Sequence, residues 1–581
     1  MTVSSKFLAL TTGLLVVLTG AGSTNAQIDG NSSSLIGKKV VMLADIPLRF
    51  EGKPISNSRF WTTYVVEKAQ GDNLWLNNSA QKIAGWAPIE VVASPQEAIA
   101  YYTRRLNETR SCDDFSKRAL LRSLSGEFDL AIADLNEAIR MQPDSSYSYM
   151  LRGTAWRGLK RFDKAHDDLE EAIRLRPDDA SLYYEKAIAH SMNGEFKQAI
   201  EDFTQAIRID PDSPNIYLNR GNTWRYLREP DKAIADFDRA IELNPQLADA
   251  YLVRGTTTFP LRQFDKAVAD FSKAISLNPN SPVAYNHRGD AYQFLREFDK
   301  AIADYDKSIR IDPKQANPYI SRGDIWGMKQ EYDKAIADHS EAIRLDPLNP
   351  LAYNARGTDW SFKKEYDKAI EDYNDAIRLN PRYPLAYFHR GIVWSALNDP
   401  QKAIEDYTTV IRLSPQIPDT YVNRGAELKK LGEFERAIED YTTAIRIAPN
   451  HFNAYNNRGN IYVRRKEYGK AAADYEQALR LQPDSESVAV SYVWLLAGCP
   501  QDDIRDGDKA VKIARNACES SHWSNPNTIA AYAAALAETG NFDEAAKQME
   551  SAISKTSVED ASYSIRIRGL EALKQRKTLR N

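Results

Sequence analysis

An arginine and an aspartate return together every 34 residues through most of this 581-residue chain. The arginines are Arg118, Arg152, Arg220, Arg254, Arg288 and onward to Arg458, interrupted once by Lys186. The aspartates are Asp134, Asp168, Asp202, Asp236, Asp270, Asp304, Asp338, Asp372, Asp406, Asp440 and Asp474. A guanidinium and a carboxylate at such spacing offer two kinds of chemistry. They can grip one another through two parallel N–H···O bonds, or the arginines can stand as a row open to an anionic ligand. A carboxylate accompanies every unit, so a bridge within or between units is the preferred reading.

Other reactive residue types carry less. The seven histidines (His166, His190, His287, His339, His389, His451 and His522) are scattered over different units, with no HExxH or Cys–His metal spacing. No Gly-rich phosphate loop or nucleophile elbow is present. Acid pairs are plentiful, but on repeated helices they read as solvated faces or bridges. These observations call for no enzyme, no cofactor and no metal. Cys112, Cys499 and Cys518 remain. Cys499 and Cys518 close successive predicted helices (about 487–498 and 507–520). In an antiparallel hairpin they stand on the order of 15 Å apart, beyond disulfide reach, so buried free thiols are expected.

The elements that position these residues follow from a third periodic residue. Eleven prolines, Pro143, Pro177, Pro211, Pro245, Pro279, Pro313, Pro347, Pro381, Pro415, Pro449 and Pro483, keep one register without insertion or deletion. Such a period marks stacked supersecondary units. In the unit ending at Pro313, Tyr285, Gly289 and Tyr292 share one helical stripe, while Ala301, Tyr305 and Ile309 share another. Asp299 is placed to cap the second helix and Pro313 to end it. Neither helix can bury its apolar stripe alone.

Gly recurs at 153, 221, 255, 289, 323, 357, 391, 425 and 459, and Ala recurs from Ala131 to Ala471 in every unit. With the aromatics and the closing Pro, this resembles the tetratricopeptide repeat, except that Arg stands where many family members carry Leu before the Gly. The resemblance implies an all-α solenoid, a right-handed superhelix of antiparallel helix pairs. It also implies a concave groove lined by the first helices that takes extended or helical peptides. Asn219, Asn222, Asn286, Asp290, Asn354, Asn456, Asn457 and Asn460 fall on that stripe. Their amides can hydrogen-bond a peptide backbone without fixing its sequence, or simply be solvated. Neither Leu218 before Asn222 nor Asn456 before Asn460 suits the two-carboxylate clamp of chaperone-binding relatives. The aromatics Trp156, Trp224, Tyr292, Trp326, Trp360, Trp394 and Tyr462 suggest a stacking ladder, but they share the packing stripe and read as core.

The ends differ in composition. Lys6, the apolar run Phe7 to Leu18 and Thr24-Asn25-Ala26 read as a secretory signal over 1–26. A polar tether over 27–34 follows. Residues 35–93 show short β-rich runs, Lys39–Leu43, Thr62–Lys68 and Asn73–Asn77. The stretch from Gly85-Trp86 to Val92 resembles the end of bacterial SH3-like domains, which implies a small all-β barrel ahead of the solenoid. The Arg-Ser-Gly-Pro stretch common in wall-binding members is missing. Residues 94–109 read as a capping half-repeat helix, 110–483 as eleven units, and 484–581 as degenerate closing repeats with a basic tail. After signal removal no segment is long enough to span a bilayer. The formal net charge of -4 argues against nucleic acid as a partner. The expectation is an exported, periplasmic or secreted scaffold with a protein or peptide ligand. The alternative is an envelope factor that the barrel directs to a cell-wall component.

Overall fold

The computed structural model describes residues 94–579, and describes seven short strands before them by their backbone alone. The strands are β1 Lys39–Met42, β2 Pro47–Phe50, β3 Lys53–Asn57, β4 Thr63–Gln70, β5 Asn73–Asn78, β6 Ile83–Pro88 and β7 Val92–Ala93. They pair antiparallel in the order β3-β2-β6-β5-β4-β1-β7. The signal and tether expectations lie outside the described residues, as do the links between strands on which the SH3-like reading depends.

From Pro95 onward the described residues fold into 28 α-helices, an all-α tetratricopeptide solenoid of antiparallel pairs. The chain divides into two units, Met1–Ile311 and Asp312–Asn581. In the first, helix Pro95–Thr109 precedes six helix pairs, from Cys112–Leu124 with Phe128–Met141 to Pro282–Phe294 with Phe298–Ile311. In the second, five regular pairs run from Ala316–Met328 with Tyr332–Leu345 to Phe452–Arg464 with Tyr468–Leu481. Two further pairs and helix Ala561–Lys574 follow.

One pair shows why these residues build this element. Gly289 on the first helix lies against the ring of Tyr305 on the second, and a Cβ there would stand 2.6 Å from Tyr305 Cε1. Ala301 is fully buried beside it, so the two backbones can approach closely. The first helix ends through Arg296, held left-handed at φ 60°, with Glu297 N–H donating to Tyr292 O at 2.9 Å. Asp299 lies within the first turn of helix Phe298–Ile311, where its charge faces the positive end of the helix dipole. The helix stops at Ile311, two residues before Pro313.

The deepest aromatics are those of the second helices: Phe203, Phe237, Phe271, Tyr305, Tyr373, Tyr407, Tyr441 and Tyr475. The first-helix aromatics expected in the core are only half-buried. A lysine from the following helix covers each ring, as Lys232 does over Trp224 at 4.6 Å and Lys402 over Trp394 at 4.1 Å. Cation–π attraction with the lysine stem lying on the ring gives these aromatics a partner without full burial. All three cysteines are free, with Cys499 and Cys518 buried. Burial pushes the Cys518 thiol up to about 11, so it is an inert packing group. No helix among the described residues is long and apolar enough to cross a membrane.

Candidate binding face and the charge lattice beside it

Each periodic arginine finds its aspartate inside the same helix pair. Arg118, Arg152, Arg220, Arg254 and Arg288 in the first unit each donate through Nε and Nη2 to the two oxygens of the Asp 16 residues on, at 2.6–2.9 Å. Arg322, Arg356, Arg390, Arg424 and Arg458 do the same in the second unit, over the same range, 2.6–2.9 Å. Of the two sequence alternatives, the bridge within a repeat is the one the fold adopts.

The arginine's remaining nitrogen does something that spacing alone did not reveal. Nη1 of Arg288 reaches back to Ser272 Oγ at 3.0 Å, that of Arg220 to Thr204 Oγ1 at 3.1 Å, and that of Arg424 to Thr408 Oγ1 at 3.0 Å. Arg254 uses Asp238 in the same way. The guanidinium also lies over the tyrosine three residues earlier, 5.7 Å for Arg288 on Tyr285. One side chain therefore ties its own helix pair together and joins it to the preceding one. Hydrogen bonding to Asp304 holds the Arg288 guanidinium above its usual range, against the opposing effect of burial. With one face on a tyrosine and the nitrogens engaged, these arginines are not a row offered to an anion.

The eight groove candidates separate into groups. Asn219 Nδ2 donates to Tyr184 Oη at 3.0 Å and to Asn215 O at 2.9 Å. Asn222 is buried and accepts from Arg225 Nη1 at 3.3 Å. Asp290 and Asn460 accept from the core tyrosines Tyr305 and Tyr475, each at 2.8 Å. Asn354 is buried and accepts from His389 Nδ1 at 3.0 Å. These five have intramolecular duties. Asn457 is half-buried. Asn286 and Asn456 occupy the same place in their respective repeats, and each has a buried Oδ1 without a hydrogen-bond partner. Buried amide oxygens are nearly always paired, so these two are acceptors in want of a donor.

Two groups of histidines depart from the repeat. His339 stands where neighbouring repeats carry Tyr305 and Tyr373, and Asp359 stands where they carry Ile325 and Val393. The two substitutions meet: His339 Nδ1 lies 2.7 Å from Asp359 Oδ2, with Asp324 Oδ1 at 3.4 Å from Nε2. Burial works against a charged ring there, but the bonds to Asp324 and Asp359 outweigh it and hold His339 up at about 9. The second group surrounds Lys186, the one break in the arginine series. Lys186 turns to Glu170 at 3.1 Å, and the aspartate it leaves, Asp202, takes His190 Nδ1 at 2.7 Å instead. Sequence spacing missed both groups because the partners lie on different helices. Their signal was that His339 and Lys186 each replace a residue the register otherwise holds.

A third feature lies near the end of the chain. A cavity of about 500 Å³ is lined by Val490, Trp494, Met549, Ile565 and Arg566 among others. Arg566 is buried, donates to Asn527 Oδ1 at 2.6 Å and to Thr556 Oγ1, and is pushed down by desolvation.

The chain carries tetratricopeptide repeats. Profiles described as tetratricopeptide repeat match residues 117–166, 422–486, 214–247 and 282–315, and one described as TPR repeat matches 192–223, 262–294 and 363–398. No curated protein matches. Among solved structures the chain is similar to the APC/C hetero-tetramer Cut9-Hcn1, at 16% identity and TM-score 0.36 over 68% of this chain and 92% of that one. It is also similar to YrrB, titled a TPR protein with an unusual peptide-binding site, at 25% identity and TM-score 0.27 over 32% and 95%. Pseudomonas aeruginosa pilF shares 21% identity at TM-score 0.33 over 35% and 93%. At these TM-scores the likeness extends to no particular surface or partner.

Proposed function

We propose that this chain is a non-enzymatic scaffold that binds a protein or peptide along the face of its first helices. One observation carries the reading. The periodic Arg, Gly and Ala are consumed by packing, while Asn286 and Asn456, at one shared repeat position, keep acceptors without donors. A peptide backbone supplies N–H donors of that kind. The scaffold acts in the cell envelope, periplasmic or secreted, reached through the signal at 1–26; support for this part comes from sequence composition.

A photo-crosslinking residue placed at 286 or at 456 in the full chain, exposed to envelope extract, should capture a discrete polypeptide. The same group at Lys273, exposed on a second helix, should not. No adduct at 286 and 456, or equal adducts at Lys273, would count against the reading. A second reading, attachment to the cell wall through residues 35–93, rests on the resemblance of Gly85-Trp86 to Val92 to the end of bacterial SH3-like domains. Co-sedimentation of the full chain with purified wall tests it, and a chain that stays in the supernatant ends it.

A further inference from the structure

Two register positions in adjacent repeats have changed to histidine, and the two rings touch. His166 occupies the place of Ile132, Ile200, Ile234, Val268 and Ile302 on the second helices. His190 occupies the place of Trp156, Trp224 and Tyr292 on the first helices. Helices Phe162–Leu175 and Ala180–Asn193 bring the ring centroids to 3.9 Å with the planes nearly perpendicular, at 88°. Neighbouring repeats fill the first place with Ile or Val; the second holds Trp156, Trp224 and Tyr292 but also Arg122 and Thr258, so what sets this pair apart is the ring-on-ring contact of two imidazoles.

The polar atoms of the cluster are arranged for something else. His166 Nε2 is buried and has no hydrogen-bond partner. His190 Nδ1 lies 2.7 Å from Asp202 Oδ2. A carboxylate can only accept, so in the neutral ring the proton sits on Nδ1 and Nε2 keeps its lone pair. That Nε2 lies 3.6 Å from Glu195 Oε2, while Glu195 Oε1 accepts from Asn193 Nδ2 at 2.8 Å. One ligand atom each from His166, His190 and Glu195 lies within 4.8 Å of the others. Lys186, the nearest cation of the register, is drawn away to Glu170.

We propose that His166, His190 and Glu195 form a site for a divalent transition metal, with zinc the favoured ion. Two imidazoles and one carboxylate with an open fourth position are a zinc ligand set, and imidazole also suits nickel and copper. Bonds of about 2.0–2.1 Å place ligand atoms about 3.3 Å apart. The cluster reaches that by a small inward movement of Glu195, whose side chain is more exposed than that of His190. Asp202 orients His190 from behind, as outer carboxylates do for zinc-bound histidines. The loss of arginine at Lys186 thereby acquires a purpose: with an arginine there, Asp202 would be held by the guanidinium. The proposal rests on its own ligand set and does not depend on the proposed binding function. Bound metal would clamp two adjacent repeats.

Titration of the tag-free full chain with zinc chloride by calorimetry tests this. One saturable equivalent is expected, with a raised melting temperature in zinc and none of this with magnesium, a hard ion that avoids such ligands. His166→Ile and His190→Trp install the residues of neighbouring repeats, and Glu195→Gln alters only a partly exposed carboxylate. Each should weaken zinc by at least tenfold while circular dichroism stays that of the folded chain. Asp202→Asn should weaken it about 10–100-fold. Cobalt added in place of zinc should give the visible absorption of a tetrahedral site in the parent only. Absence of saturable zinc binding, or undiminished binding in His166→Ile and Glu195→Gln, would overturn the proposal.

Discussion

The Arg288–Asp304 pair and the His339–Asp359 pair both join charges across helices, but they belong to different regimes. Arg288 keeps about a fifth of its side chain in solvent, and its bridge recurs down the chain. His339 and Asp359 are 1% and 6% exposed, occur once, and replace an aromatic and an aliphatic residue. In the first case the register built the charge pair and supplied a tyrosine and a serine as further partners. In the second a single repeat exchanged apolar contact for an enclosed ion cluster. A buried pair between well-packed helices is seldom a net gain over apolar residues of similar shape, whereas removing one member leaves an uncompensated charge.

That contrast is broken most sharply at His339. His339→Phe leaves the Asp359 carboxylate buried beside Asp324 and should destabilise the second unit by about 3–5 kcal/mol. His339→Tyr with Asp359→Val restores the residues of the next repeat, Tyr373 and Val393, and should recover most or all of that loss. Denaturant melts of the three chains decide the matter; a double variant as weak as the single one would mean the cluster is a true stabiliser. The pH dependence gives a second check. His339 titrates at about 9 when folded against about 6.5 unfolded, so its contribution is complete below about pH 6.5. It then declines as pH rises and is lost through about 9. The parent should therefore lose stability between these values relative to the double variant.

The regular lattice should respond more mildly. Asp304→Ala removes both oxygens that Arg288 grips, yet the guanidinium keeps Ser272, its place over Tyr285 and contact with water. A loss of about 1.5–3 kcal/mol is expected, the range for hydrogen bonds to charged groups. Because repeats unfold in part independently, amide exchange in helices Pro282–Phe294 and Phe298–Ile311 should report it better than a global melt. Asp202→Ala, where His190 rather than an arginine is the partner, should cost about 1.5 kcal/mol, the low end of the same range. Equal losses at the two sites would show that the arginine bridge adds nothing beyond one ordinary hydrogen bond.

The legibility of these features in the sequence divides along the same line. Arg288 and Asp304 could be paired because both keep the period and lie equally far from the turn. Gly289 and Ala301 announced close helix approach for the same reason. What the period could not show was the third bond of Arg288, since its acceptor varies among Ser272, Thr204, Asp238 and Thr408. It also misplaced Trp224 and its equivalents, because shared stripes do not reveal that Lys232 lies over the exposed face. His339 with Asp359 and His166 with His190 were invisible to motif spacing, which looks for ligands on one helix. Each was present as a lapse in the register, and a pair of lapses that the fold brings into contact is the more telling signal. Among the groove asparagines, sequence could not separate Asn460, occupied by Tyr475, from Asn456, whose Oδ1 has no donor.

The smallest test uses a comparison the chain has already made. The residue that turns the first helix into the second is left-handed in every regular repeat. It is Gly194 at φ 83° and Gly432 at φ 79°, but Arg228, Arg262 and Arg296 at φ 60° and Asn398 at φ 59°. A side chain in that region is strained by roughly 1–2 kcal/mol, partly offset because glycine loses more freedom on folding. A basic group just past a helix C-terminus also gains a few tenths of a kcal/mol from the dipole. Arg296→Gly should therefore stabilise its repeat by no more than about 1 kcal/mol, and Gly194→Arg should do the reverse by a similar amount. Arg296→Asn should fall between them, since a short polar side chain tolerates the left-handed region better. If Arg296→Gly instead destabilises, then the arginine's dipole and stem contacts outweigh backbone strain, and the register would be setting charge at this turn as firmly as it does at Arg288.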